Sequence, residues 1–186
     1  MEVLWCGRPP GARRDGWAFP RAVRDLLVRE CEGMTVLHLF GGKADFGLRM
    51  DIDPHTRPHV VGDAWLPPFR RDSFDCVVLD PPYTGAFRGL NAQNKYALFA
   101  AAAWIARRRL VWFHPMWVHH EAGCRLERAW LVRVGRNCVV RALQFLEVPE
   151  RKRPPVTHFT RGPAIRYNKW LVQPERLPFG EGGITV

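Results

Sequence analysis

Phe74-Asp75-Cys76-Val77-Val78-Leu79-Asp80-Pro81-Pro82-Tyr83 is an apolar run that ends in an acid, two prolines and an aromatic ring. Residues 74–79 read as a buried strand, since only Asp75 interrupts the apolar side chains and the proline pair stops the pattern. The ending is an odd way to turn a chain and a good way to hold an amino group. Neither proline carries an N–H, so Asp80 and the Pro81 carbonyl offer acceptors with no competing main-chain donor at those positions. An exocyclic base amine is a poor nucleophile, because its lone pair is delocalised into the ring. With one proton on Asp80 and the other on the Pro81 carbonyl, the nitrogen shifts towards tetrahedral geometry and its lone pair is freed. Tyr83 adds a flat face for the base, and such stacking is worth roughly 1–3 kcal/mol, similar to the few kcal/mol needed to extrude a base from a duplex.

Upstream, Ala22, Val23, Leu26 and Leu27 recur at helical spacing and predict a helix from Pro20 to Glu30. A strand is expected from Thr35 to Phe40, broken by Gly41-Gly42, and a second from Leu48 to Ile52, closed by Asp53-Pro54. Val60-Val61 forms a short segment before Gly62-Asp63. Downstream, alanine-rich Tyr96 to Arg107 predicts a helix, and Leu110 to Phe113 a strand ended by His114-Pro115. Ala129–Val134 and Val139–Val148, joined by Gly135-Arg136-Asn137, predict a β-hairpin. Residues 1–18 read as irregular, and residues 149–186 as a basic extension rich in proline and glycine. The expectation is one α/β domain over residues 1–186, its sheet mostly parallel with a C-terminal antiparallel hairpin.

Ligands of such sheets bind beyond the carboxyl ends of the strands. Phe40-Gly41-Gly42, Asp51-Ile52-Asp53, Asp63-Ala64 and Asp80 to Tyr83 all fall at such ends and can share one crevice. A glycine pair lets backbone lie against a ligand, and an acid after the next strand can accept both hydrogen bonds of a ribose diol. Asp63 can accept from an adenine amino group beside the small Ala64.

Composition agrees with a folded, nucleic-acid-facing chain. At 47% hydrophobic and 25% charged residues it is not a disordered sequence. The net charge is +10, and its excess is confined to one half: residues 1–83 hold 11 Lys+Arg against 12 Asp+Glu, residues 84–186 hold 17 against 6. A polyanion partner suits that asymmetry. In the second half Arg88, Asn91, Lys95 and Tyr96, with Phe87, Gln93 and Asn94, mix basic, amide and aromatic groups suited to a backbone and an extruded base. The loop Thr84–Asn94 could equally be a solvated lid. Arg107-Arg108-Arg109 and Arg151-Lys152-Arg153 are candidate phosphate contacts. No apolar run is long enough to cross a bilayer, and the start lacks the basic and apolar regions of a secretory signal, so a cytoplasmic chain is expected. The five scattered cysteines form no C-x-x-C pair and read as small buried hydrophobes. His114, His119 and His120 lack acid or thiol partners at ligand spacing; His114, at a strand end, is placed to line the crevice instead.

Taken together, these motifs resemble the Rossmann-like, S-adenosylmethionine-dependent amino-methyltransferases that carry an Asp/Asn/Ser-Pro-Pro-Tyr/Phe motif. The resemblance runs from about Thr35 to Tyr83 and more weakly to His114-Pro115. It implies that Phe40, Gly41 and Gly42 lie against the methionine part of S-adenosylmethionine. Asp51 or Asp53, flanking Ile52, would hold the ribose, Asp63 and Ala64 the adenine, and Phe19-Pro20 would help close over the cofactor. Asp80, Pro81, Pro82 and Tyr83 match the catalytic motif position by position. Asp in first place is similar to the adenine-specific DNA enzymes, so N6 of adenine in DNA is the first reading. An RNA base methyltransferase, or a nucleic-acid-binding module that lost the reaction, is the alternative. The pattern departs from the family in its short link between the first two strands, which implies a reduced or missing crossover helix. No large target-recognition domain follows the motif, which leaves room for a homodimer or a recognition partner.

Overall fold

The computed structural model describes residues 2–6, 19–81, 92–115, 117–118, 122–134 and 140–150. Eight strands form one sheet: β1 Glu2–Cys6, β2 Val36–Leu39, β3 Leu48–Asp51, β4 Val60–Val61, β5 Phe74–Leu79, β6 Ala106–His114, β7 Arg125–Val134 and β8 Arg141–Glu147. Their spatial order is β1-β7-β8-β6-β5-β2-β3-β4. Only β8 runs against its neighbours, β6 and β7; the other pairings are parallel. The expected mixed sheet with its hairpin is therefore what forms.

Among the described residues, two α-helices cover the two faces. Helix α1, Arg21–Glu30, is amphipathic and buries Val23, Leu26 and Leu27, the spacing of a single helical stripe. Alternation along the strands sends Val36, Cys76, Val78, Val111 and Phe113 to the α1 face. Leu37, Leu39, Val77, Leu79, Leu110 and Trp112 go to the other, where α2, Ala92–Ile105, packs Leu98, Phe99 and Ile105. Full burial of side chains of this size contributes ~1.5–3 kcal/mol each. The four consecutive alanines of α2 (Ala100 to Ala103) are all buried, since a helix that is apolar all round must be covered on every side.

Several expectations need correction. Glu2–Cys6, read as irregular, is an edge strand paired with Trp130–Val134 of β7. Its alternation was too short to stand out without the partner strand. Helix α2 starts at Ala92, so Asn94 belongs to a helix and not to a loop, and α2 ends at Ile105. Arg107, Arg108 and Arg109 are therefore strand residues of β6. The predicted loop 84–91, the hairpin tip at 135–139, His119, His120 and the extension from residue 151 lie outside the described residues.

The crossover helix after β2 is absent. Residues 40–47 alone join β2 to β3, and the two strands still pair in parallel, Leu37 with Leu48 and Leu39 with Met50. A parallel link ordinarily takes about a dozen residues or more. This one returns in eight by using positive φ at Phe40 (64°), Gly42 (46°) and Gly47 (69°).

Candidate active site

The glycine turn is built by close contacts. The Gly41 N–H donates to the Met50 carbonyl at 2.8 Å, and Ala44 N–H to the Gly41 carbonyl at 2.9 Å. A Cβ on Gly41 would stand 2.7 Å from Cβ of Arg49, so only glycine lets β3 approach so closely. Arg49 then spans the turn from below, donating to the carbonyls of Gly42 (2.8 Å), Thr56 (3.3 Å) and Arg57 (2.8 Å). Sequence pattern gave no sign of this arginine, because its three acceptors are main-chain atoms on two separate loops.

The structure separates the two acids after β3. Asp51 is half-buried and faces the turn: one oxygen accepts from Gly42 N–H at 2.9 Å and the other from Asp53 N–H at 3.0 Å. Asp53 is exposed and caps the short 3-10 turn Pro54–Thr56 through His55 N–H at 2.9 Å. Ile52 between them is exposed. Asp63 accepts from Trp65 N–H at 3.0 Å, and Trp65 meets the ring of Phe40 edge-on at 5.7 Å. Ala64 is buried with the α2-face core. Trp65 is a wall residue that the sequence reading passed over.

Register brings the catalytic candidate to this turn. Leu79 pairs with Leu39, so one residue further on Phe40 and Asp80 leave the sheet side by side, on strands about 4.8 Å apart. The chain order reverses at this β2–β5 junction, the place where open α/β sheets form their ligand crevice. Asp80 is buried and is not part of either apolar cluster. Pro81 is described and buried, whereas Pro82, Tyr83, Arg88 and Asn91 lie outside the described residues. On the far side of Asp80, β5 pairs with β6, Leu79 opposite Trp112, and β6 runs out into His114. That imidazole packs against Trp112 at 4.9 Å. Burial, aided by the charge of Arg141, pushes its pKa down to about 4, so His114 is neutral at pH 7.

Phe19 and Pro20, at the start of α1, lie on the other face. The Phe19 ring is 5.8 Å from His38 and 6.0 Å from Phe113, and the Pro20 carbonyl accepts from Arg24 N–H. Lys95 and Tyr96 sit in the first turns of α2, Lys95 half-buried and Tyr96 exposed. The run 107–109 does not join them. It starts β6, at the end of the sheet opposite Asp80, where Arg107 pairs with Asp75 (2.7 Å) and Arg109 with Glu127 (3.6 Å). Arg151, Lys152 and Arg153 fall outside the described residues.

This sheet order, with one antiparallel strand inserted beside the end of the parallel set, is the class I Rossmann-like methyltransferase fold. Among solved structures, TrmN from Thermus thermophilus matches with a TM-score of 0.52 at 17% identity over 75% of this chain. The chain spans about half of TrmN, 51% of its length. Magnesium protoporphyrin IX methyltransferase (ChlM) from Synechocystis PCC 6803, solved with bound SAM, matches at 0.47 and 16% identity, over 67% of this chain and 76% of that one. The putative methyltransferase yhhF from Escherichia coli gives 0.49 and 12% identity, over 81% and 99%. No protein-family model matches the chain, and no curated protein matches it in sequence.

Proposed function

We propose that this chain is a methyltransferase that uses S-adenosylmethionine to methylate an exocyclic amino group of a nucleic-acid base, N6 of adenine in DNA. The observation that carries the reading is the position of Asp80: a buried carboxylate beside the glycine turn at the reversal point of the sheet. The residues present suit the cofactor. The glycine turn stands beside Asp80 at the β2–β5 reversal point, and Asp51 presents its carboxylate to that turn from the end of β3, accepting from Gly42 N–H. Asp51 is assigned as the ribose acid because it lies half-buried against the glycine turn, whereas Asp53 is exposed and turned to its own 3-10 turn. Phe40, Ile52, Asp63 and Trp65 are assigned to the adenine side.

When bound, the cofactor supplies an electrophilic methyl group on a positively charged sulfur. The protein's part is to orient the acceptor. Asp80 accepts one N–H of the amine and the Pro81 carbonyl the other, which aligns the nitrogen lone pair and removes the entropic cost of a bimolecular encounter. Tyr83 stacks the base, and neutral His114 closes the side of the crevice over β6 without placing a second positive charge beside the sulfonium. Lys95, Tyr96, Arg88, Asn91 and the basic residues 151–153 are assigned to the nucleic-acid backbone. A homodimer or a recognition partner supplies sequence reading.

The test is transfer of labelled methyl groups to DNA and RNA pools, followed by digestion to nucleosides. N6-methyldeoxyadenosine is expected, and Asp80→Ala abolishes it while calorimetric binding of S-adenosylmethionine persists. Label on RNA alone moves the substrate to the RNA alternative. Label on protein alone, or undiminished transfer by Asp80→Ala, overturns the assignment. No cofactor binding at millimolar concentration leaves the inactive binding module.

A further inference from the structure

A groove of about 480 Å³ lies between α1 and the return loop, lined by charged Arg24, Arg29 and Glu32 as well as Cys31, Met34 and Phe46. At its floor lies a pair of thiols from distant parts of the chain. Cys31 caps the end of α1, its N–H bonded to the Leu27 carbonyl at 3.0 Å. Cys76 is the third residue of β5, its N–H bonded to the Thr35 carbonyl at 3.1 Å. Their sulfurs are 3.6 Å apart, share a hydrogen bond, and are both reduced. Bonding requires the sulfurs to close from 3.6 Å to the ~2.05 Å of a disulfide.

The two thiols are not equivalent. Cys31 lines the groove and keeps 5% exposure, whereas Cys76 has none. Arg109, opposite Cys76 on β6, donates to the Glu30 carbonyl at 2.9 Å and so sits at the end of α1 beside the pair. Other charged groups about the pair are Glu30, held by Arg128, and Asp75, held by Arg107, with Arg24, Asp25, Arg29 and Glu32 along the groove. The hydrogen bond shared with Cys76 and the charge of Arg109 hold the Cys31 thiol below its usual range, against burial and Glu30. The same hydrogen bond and complete burial push Cys76 up.

We propose that Cys31 and Cys76 form a reversible redox site, oxidised by a hydroperoxide that enters through the groove. The Cys31 thiolate attacks the peroxide oxygen and the O–O bond breaks, giving a sulfenic acid and an alcohol or water. The Cys76 sulfur then attacks the Cys31 sulfur, and the departing hydroxide takes the Cys76 proton as water. Two thiols are oxidised to one disulfide, and one peroxide is reduced. Cys31 is the attacking sulfur because it is the reachable and more acidic one. The crosslink would enclose β2, β3, β4 and their turns, the whole candidate cofactor half, in one covalent loop. Closing a loop of that length restricts the unfolded chain strongly. This site stands apart from the methyl-transfer reading and does not need it.

The experiment treats the reduced chain with hydrogen peroxide and maps disulfides by mass spectrometry of unreduced peptides, beside thermal melts. A Cys31–Cys76 crosslinked peptide is expected, with a melting temperature several degrees higher that returns on adding dithiothreitol. A variant with Cys6, Cys124 and Cys138 changed to alanine still forms the link and shows the rise. Cys31→Ala and Cys76→Ala each abolish both; if either fails to fold, peptide mapping of the triple variant decides alone. Oxidation of Cys31 to sulfinic acid without a link, or two thiols that stay free under peroxide, overturns the proposal.

Discussion

Replacing His38 with leucine removes a buried imidazole and should stabilise the fold, by a margin that widens on acidification. His38 sits on β2 with 1% exposure, its ring 4.6 Å from Phe46 and 5.8 Å from Phe19, and among the described residues neither nitrogen finds a partner at full hydrogen-bond geometry. A buried polar group left unsatisfied costs about 1–3 kcal/mol, and leucine is apolar and of similar volume. At pH 8 the variant should therefore gain about 1–2 kcal/mol, the remainder being offset by imperfect repacking. The pH term has a definite sign. Burial is the main cause that lowers the His38 pKa from 6.5 to about 4, partly opposed by the Phe46 main chain and Asp45 and assisted by Arg49. Between those values the unfolded chain binds a proton that the folded chain refuses, so wild-type stability is lost as pH falls from about 6.5 to about 4. The gap between 6.5 and about 4 corresponds to about 3 kcal/mol. His114 contributes a loss of the same sign in both proteins. Urea denaturation followed by tryptophan fluorescence at steps from pH 8 to pH 4.5 measures both effects. A variant that is less stable at pH 8, or whose curve runs parallel to wild type through the acid range, refutes the reasoning.

Three further outcomes follow from single contacts. Gly41→Ala drives a methyl into Arg49 Cβ at 2.7 Å and should lower stability by about 1–3 kcal/mol, read by thermal denaturation. Gln144 is wholly buried on β8, accepting from Val118 N–H (3.1 Å) and donating to its carbonyl (2.6 Å). Gln144→Leu strands both main-chain groups and should cost about 2–4 kcal/mol, measured as the shift in urea midpoint at constant slope. Asp51→Asn should weaken S-adenosylmethionine binding by about tenfold or more, since charge-assisted ribose hydrogen bonds are lost while the amide oxygen can still accept from Gly42. Asp53→Asn should leave that affinity unchanged, and calorimetry on both variants separates the two acids.

Local pattern was enough to place most elements of this protein. Hydrophobic runs bounded by glycine and proline marked β2, β3, β5 and the hairpin, because a buried strand must be apolar and a turn must accommodate unusual φ. The glycine turn after β2 and the acid that ends β5 were legible for the same reason: a tight turn and a strand end depend on residue type and immediate neighbours. The mixed sheet also followed, since strands alternating with helical stretches favour parallel neighbours and a short-linked final pair forms an antiparallel hairpin.

Contacts between distant residues were not legible. Nothing local tells Asp51 from Asp53; only the fold lays one against Gly42 and turns the other to cap its own turn. The arginines at 107–109 look like a phosphate-binding run until β6 carries them to the far end of the sheet and gives two of them acidic partners. The five-residue β1 is defined by a strand more than a hundred residues away. Arg49, the unsatisfied His38 and the Cys31–Cys76 pair depend in the same way on which strands lie side by side. Hydrogen bonding and desolvation act over a few ångströms of space, and the chain brings those atoms together only when the sheet assembles.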